Sequence, residues 1–160
     1  FENSKAVDRF LLTSNYELFK SREDFSKLFF RDKFDPSRTI LLEDKPSFSS
    51  LPNNNAGDEI IIEKYEPNEI RLKVGVSRKK LLFVSDTYYP GWKAYVDGIE
   101  TKIIRSNYSF RAIEVPDGHH LVNFIYKSDS LNFGFFIFLG ALGVLCVVGG
   151  LMYMRKLYYE

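Results

Sequence analysis

The chain reads as a mainly β protein. The expected fold is an antiparallel β-sandwich of the jelly-roll kind, with a short helix near the start and one transmembrane helix at the end. Three observations predict it. Between residues 59 and 126, short apolar–polar alternations are separated by Pro, Gly and Asn signals at regular spacing, the pattern of a sandwich. Helical periodicity is almost absent there. Leu131 to Met154 then runs 24 residues without a charge. That is about 36 Å of helix at about 1.5 Å per residue, enough to cross a hydrocarbon core of about 30 Å.

The elements follow in order. Arg9 to Thr13 is expected as an opening strand. Ser21-Arg22-Glu23-Asp24 has the form of an N-cap with an acid at the third helical position. Phe25, Leu28 and Phe29 fall at helical spacing, so a helix is expected from Arg22 to Phe30. Asp35-Pro36 should stop it, because the proline ring disfavours helical geometry at the preceding residue. Thr39 to Glu43 reads as a strand, and Lys45 to Gly57, with two prolines, serines and Asn53-Asn54-Asn55, as an exposed loop. Glu59 to Tyr65 is a strand that turns at Glu66-Pro67-Asn68. Ile70, Leu72, Val74 and Val76 then alternate with Arg71, Lys73 and Gly75, as in a sheet with one wet face. Leu81 to Val84 is apolar throughout and should be covered on both sides.

The next stretch, Asp86 to Gly98, organises the rest. A strand enters from Lys80, Pro90-Gly91 breaks it, and a second strand leaves through Trp92 to Val96. Trp92, Ala94 and Val96 share one face, and Lys93 and Tyr95 the other. Asp97-Gly98 supplies the positive φ angles of a tight hairpin. Thr101 to Arg105 should return as one strand, followed by Tyr108 to Val115, a turn at Pro116-Asp117-Gly118, and a last strand with Val122, Phe124 and Tyr126 inward. About eight strands result, with no internal repeat. The chain divides into a β-sandwich, residues 1–128, and a transmembrane helix with a short tail, residues 129–160. It reads as the C-terminal piece of something longer.

Gly143, Cys146 and Gly150 fall on one side of the span with Gly140 at its edge, a face of small residues that lets another helix approach closely. Arg155-Lys156 follow the span and Asp129 precedes it, while Arg111 and Lys127 dilute the contrast. The positive-inside rule puts the C-terminus in the cytoplasm and the sandwich outside. A protein whose only span lay at its C-terminus would usually keep its soluble part in the cytosol, so the outside placement leans on spans upstream.

The net charge of +1 and the lack of a basic block give no case for nucleic acid. The single Cys146 excludes an internal disulfide and a cysteine-based zinc site. His119-His120 are strand neighbours that point to opposite faces, a poor metal pair. No phosphate loop, dinucleotide fingerprint or nucleophile elbow is present. No catalytic residue, metal site or cofactor site is assigned. Asp97 and Asp117 each precede glycine and read as turn residues. Asp86, at the end of a buried strand, either holds turn amides, or meets a sugar hydroxyl or acts as an acid or base. The binding candidates are Asp86, Tyr88, Tyr89, Trp92, Lys93, Arg105 and Tyr108. Their flat rings suit a sugar face or the lipid headgroup layer, and Lys93 or Arg105 a phosphate. The competing reading makes Trp92 a core plug and the tyrosines a cover for the sheet end. Asn107-Tyr108-Ser109 also fits an N-glycosylation sequon.

Three runs together resemble the C-terminal region of the bacterial YfhO-like membrane proteins: Ser85 to Gly98 with its Tyr88-Tyr89-Pro90-Gly91-Trp92 core, Arg105 to Ala112, and Val115 to His120. Phe34-Asp35-Pro36 with the following strand is similar to the same region. The resemblance implies a polytopic protein built like lipid-sugar-dependent glycosyltransferases, acting on cell-envelope polymers such as lipoteichoic acid with undecaprenyl-phosphate sugars as donors. It places the catalytic acid in an early outside loop that this chain does not contain, and the partners in the bilayer, the upstream transmembrane helices and an envelope glycopolymer. The chain would then be the extracytoplasmic accessory domain and last span in a bacterial membrane. The alternative is a membrane-tethered carbohydrate-binding or partner-docking sandwich without catalysis.

Overall fold

In the computed structural model the described residues are 8–52, 57–127 and 129–159. They form β1 (Phe10–Thr13), β2 (Tyr16–Leu18), α1 (Arg22–Phe29), β3 (Ile40–Leu42), β4 (Glu59–Glu66), β5 (Glu69–Val76), β6 (Lys80–Thr87), β7 (Trp92–Val96), β8 (Ile99–Thr101), β9 (Ile104–Ser106), β10 (Phe110–Val115), β11 (Gly118–Tyr126) and α2 (Asp129–Tyr159). One compact unit ends at Tyr126 and a second begins at Lys127. The first is the expected sandwich. Its six-stranded sheet runs β1-β6-β10-β9-β3-β2 and its five-stranded sheet β4-β5-β11-β7-β8. The pairing is antiparallel apart from β2 with β3.

Period-two alternation builds the core. Ile70, Leu72, Val74 and Val76 of β5 meet Leu82 and Val84 of β6, Ile113 and Val115 of β10, and Val122 and Phe124 of β11 between the sheets. A second cluster sits on the other side of β6, where Leu81 and Phe83 pack with Tyr16, Ile40, Leu42, Ile104 and Ala112. The β6 strand is therefore covered on both faces, as its continuous apolar run predicts. The geometry follows from the chain: only Ser14 and Asn15 separate β1 from β2, yet these strands stand at opposite ends of the sheet order. The six-stranded sheet must curl, so that β3 and β2 fold back over β6 and β10.

Three sequence expectations are corrected. The described residues hold eleven strands rather than about eight. The expected single return strand, Thr101 to Arg105, is two. β8 pairs with β7, whereas β9 pairs with β10 in the other sheet. Lys102-Ile103 carries the chain across, and Ile103 packs against the core between the sheets. The first helix, Arg22–Phe29, matches the expected span to one residue, and beyond it Phe34 lies against Phe29 with ring centroids 5.2 Å apart. The stretch from Lys45 is not wholly exposed: Pro46 is buried and Phe48 meets Tyr16 edge to face at 5.9 Å. Its Asn53-Asn54-Asn55 tip lies outside the described residues.

Other local signals hold. Ser21 accepts from the Asp24 amide at 3.1 Å, and Asp24 accepts in turn from the Lys20 amide at 3.0 Å. Asp97 and Gly98 take φ angles of 51° and 82° in the β7–β8 hairpin. In the second unit, α2 is a 31-residue helix whose segment Phe133–Met152 is long and apolar enough to cross a membrane. Its described side chains are exposed all round. Added Cβ atoms at Gly140, Gly143 and Gly150 would meet nothing within 4 Å, and Cys146 is exposed as a free thiol.

Candidate functional site

The inward rows of several strands run past the core and end together at one mouth of the sandwich. On β6 the row Leu82, Val84 continues to Asp86. On β10 the row Val115, Ile113 continues to Arg111. On β7 and β11 the rows end at Trp92 and Tyr126. Tyr65, at the end of β4, and Tyr89, in the turn after β6, complete the wall of a cavity of about 510 Å³. That volume lies in the range of small-ligand sites, and the lining is mostly apolar and aromatic with a few polar groups.

An ion network forms the polar part. Asp86 accepts from Arg111 Nη2 at 3.1 Å and from Arg9 Nη1 at 2.9 Å, and its Oδ1 lies 3.2 Å from the Tyr65 hydroxyl. Arg9 also bonds to that hydroxyl. Arg111 is 1% exposed. Its guanidinium lies 3.9 Å from the Trp92 ring centroid and 5.3 Å from that of Phe124. Burial pulls the Arg111 pKa below its ordinary value, and the Asp86 charge offsets part of that. Its Nε and Nη1 are buried without a hydrogen-bond partner, so Asp86 carries its electrostatic compensation.

The aromatic walls differ in character. Trp92 is half-buried and packs against the core cluster, while also lining the cavity. It is both plug and wall, which joins two readings that the sequence left as rivals. Tyr126 leans on it at 5.6 Å between centroids and on Tyr89 at 6.2 Å. Tyr89 is 58% exposed and offers an open ring.

Three of the seven candidates, Asp86, Tyr89 and Trp92, thus share one cavity; Tyr88, Lys93, Arg105 and Tyr108 are not among its lining residues. Alternation turns Lys93 to the opposite face of β7, where it pairs with Glu100 at 3.2 Å. Arg105 donates from Nε to the Tyr108 carbonyl at 2.5 Å and lies over its ring at 5.1 Å. Tyr108 packs against Phe25 of α1 at 5.4 Å. It holds a φ of 68°, strained for a bulky residue, within the β9–β10 turn. The neighbouring Asn107 docks its side chain on the β3 backbone, accepting from the Leu41 amide at 2.8 Å. Tyr88 is exposed, and its amide donates to Ser109 at 2.7 Å.

Arg111, Tyr65 and Arg9 escaped the sequence reading. For Arg111 a signal existed: it shares the parity of Ile113 and Val115, so a strand reading places a cation on the core face. Tyr65 escaped because a register irregularity between Ile62 and Lys64 shifts the alternation of β4. Arg9 is brought in only by the pairing of β1 with β6.

Elsewhere, His120 Nδ1 lies 2.6 Å from Asp97 Oδ2 and its Nε2 3.1 Å from the Asp117 carbonyl. The hydrogen bond to Asp97 raises the His120 pKa and lowers that of Asp97. Asp97 also accepts from the Leu121 amide at 2.8 Å, which ties the hairpin to β11. No group of three or more His, Cys, Asp or Glu positioned for a metal occurs among the described residues.

The family model described as bacterial membrane protein YfhO matches residues 39–138. No curated protein and no solved structure gives a significant match.

Proposed function

Because the chain belongs to the YfhO family of bacterial membrane proteins, we propose that its sandwich is an extracytoplasmic accessory domain of an envelope glycosyltransferase-like protein. In this reading the sandwich holds a glycan outside the bilayer while a catalytic acid elsewhere in the protein transfers the sugar from a lipid-linked donor. The observation that carries it is the cavity itself: three tyrosines and a tryptophan beside two carboxylates, Asp86 and Glu66, each paired with a cation, without a nucleophile–base pair. Such walls bind flat faces and leave the chemistry to other groups. The span Phe133–Met152 supports a membrane anchor, and the basic residues after it support a cytoplasmic C-terminus.

Deleting residues 1–128 from the full-length protein in cells tests this. Sugar on the envelope polymer should fall severalfold at equal protein level. Undiminished transfer would overturn the accessory role.

A second reading is a sandwich that binds glycan without serving any transfer. The same cavity favours it equally. It differs in one outcome: the deletion removes glycan binding and leaves polymer glycosylation intact.

A further inference from the structure

We propose that the cavity seats one uncharged sugar residue and rejects phosphate-bearing groups, an inference that rests on the glycan reading and narrows it. A phosphate site needs a cation or amide with free donors facing the ligand. Here the cations are already committed. Arg9 and Arg111 both converge on Asp86. The Arg111 nitrogens left without partners are shut away from solvent. The lining holds two carboxylates, and each has its cations: Asp86 has Arg9 and Arg111, and Glu66 has Lys64 at 3.1 Å. An incoming phosphate would have to displace a carboxylate from its cation to be bound. Lys93 and Arg105, the cations that the sequence suggested for a phosphate, serve Glu100 and Tyr108 instead.

An uncharged pyranose meets the opposite situation. Its C–H face lies against an aromatic ring, and its hydroxyls need acceptors and donors at the edge of that ring. Tyr89 presents the open platform, and Tyr126 tilts 43° against it to make a wedge. One face of the Trp92 indole is occupied by Arg111, so Trp92 serves as a rigid back wall. Asp86 keeps 19% of its side chain exposed, leaving it able to accept from a hydroxyl, and Asn68 and Thr87 also line the cavity with amide and hydroxyl groups. Arg111 acts here as a positioning residue: it fixes the indole from one face and the carboxylate from the other.

The test uses the only tryptophan, Trp92, as its own reporter. The full chain in phosphatidylcholine vesicles is titrated with glucose, galactose and N-acetylglucosamine, and separately with inorganic phosphate and glycerol 3-phosphate. At least one neutral sugar should shift the emission saturably, with a Kd on the order of millimolar for so small a ligand. The two phosphates should not. Tyr89→Ala should weaken the response at least about fivefold, and Tyr89→Phe, which keeps the ring face, should retain it. Tyr89 is exposed, so the alanine variant should keep its unliganded emission. Saturation by a phosphate, or no saturation by any of the three sugars up to about 100 mM, would overturn the proposal. The two levels separate cleanly. Sugar binding with undiminished polymer glycosylation in the domain deletion leaves the seat standing and removes the accessory role. Lost glycosylation in that deletion without sugar binding does the reverse.

Discussion

Arg111 and Asp86 show how much one pair decides. A guanidinium 1% exposed has no compensation except that carboxylate and two aromatic rings. Breaking a buried pair from one side leaves a bare charge and costs about 3–5 kcal/mol. Asp86→Ala should therefore lower unfolding stability by about 3 kcal/mol in a denaturant titration, the low end because Asp86 is itself partly exposed. A loss below about 0.5 kcal/mol would mean Asp86 is free to serve a ligand alone. The His120–Asp97 pair makes a smaller, pH-dependent contribution. His120 has a raised pKa, so its stabilisation is complete below the ordinary value of 6.5 and is lost as pH rises through the folded value. Asp97 has a lowered pKa, so its share is present above 3.8 and is lost as pH falls through the folded value. Unfolding stability should fall by under about 1 kcal/mol as pH is raised from below 6.5 into the alkaline range, a small amount because Asp97 is half exposed, and His120→Gln should flatten that slope. At this scale only three of the seven residues singled out in the sequence line the cavity, and Arg9, Tyr65 and Arg111 were not among the seven. Asp86, Tyr89 and Trp92 are close in the chain, and a turn keeps them together. Arg9 and Tyr65 arrive from far away, through strand pairing that no local signal encodes.

Elements were more legible than contacts, because period and punctuation are local. The Ser21 cap, the Asp97-Gly98 hairpin and the inward rows of β5, β7 and β11 follow directly from residue types at fixed offsets. Ser21→Ala removes the acceptor for the Asp24 amide and should cost about 1 kcal/mol, read as a lower thermal midpoint. Asn107→Ala should cost more, about 1–3 kcal/mol, since it strips the fully buried Leu41 of an amide partner. What stayed hidden is where a strand changes sheet. Lys102-Ile103 carries no glycine or proline, and only the pairings of β8 and β9 reveal the crossing. The extent of α1, by contrast, was legible: it spans Arg22–Phe29 where Arg22 to Phe30 was expected.

At the scale of the whole molecule, two compact units of opposite character share one chain. The sandwich buries its apolar rows, while α2 exposes its own. A helix so apolar on every side is stable in lipid and not in water. The family assignment and the span make this a membrane protein. The proposed glycan role requires the sandwich on the outer side of the membrane, where envelope polymers lie. The most direct test is labelling with a membrane-impermeant maleimide in intact cells. The protein carries Cys146→Ser and one new cysteine, Ser49→Cys, on an exposed loop of the sandwich. A sandwich outside the membrane gives full labelling before permeabilisation. Labelling that appears only after the membrane is opened would put the sandwich in the cytosol and contradict the proposed role.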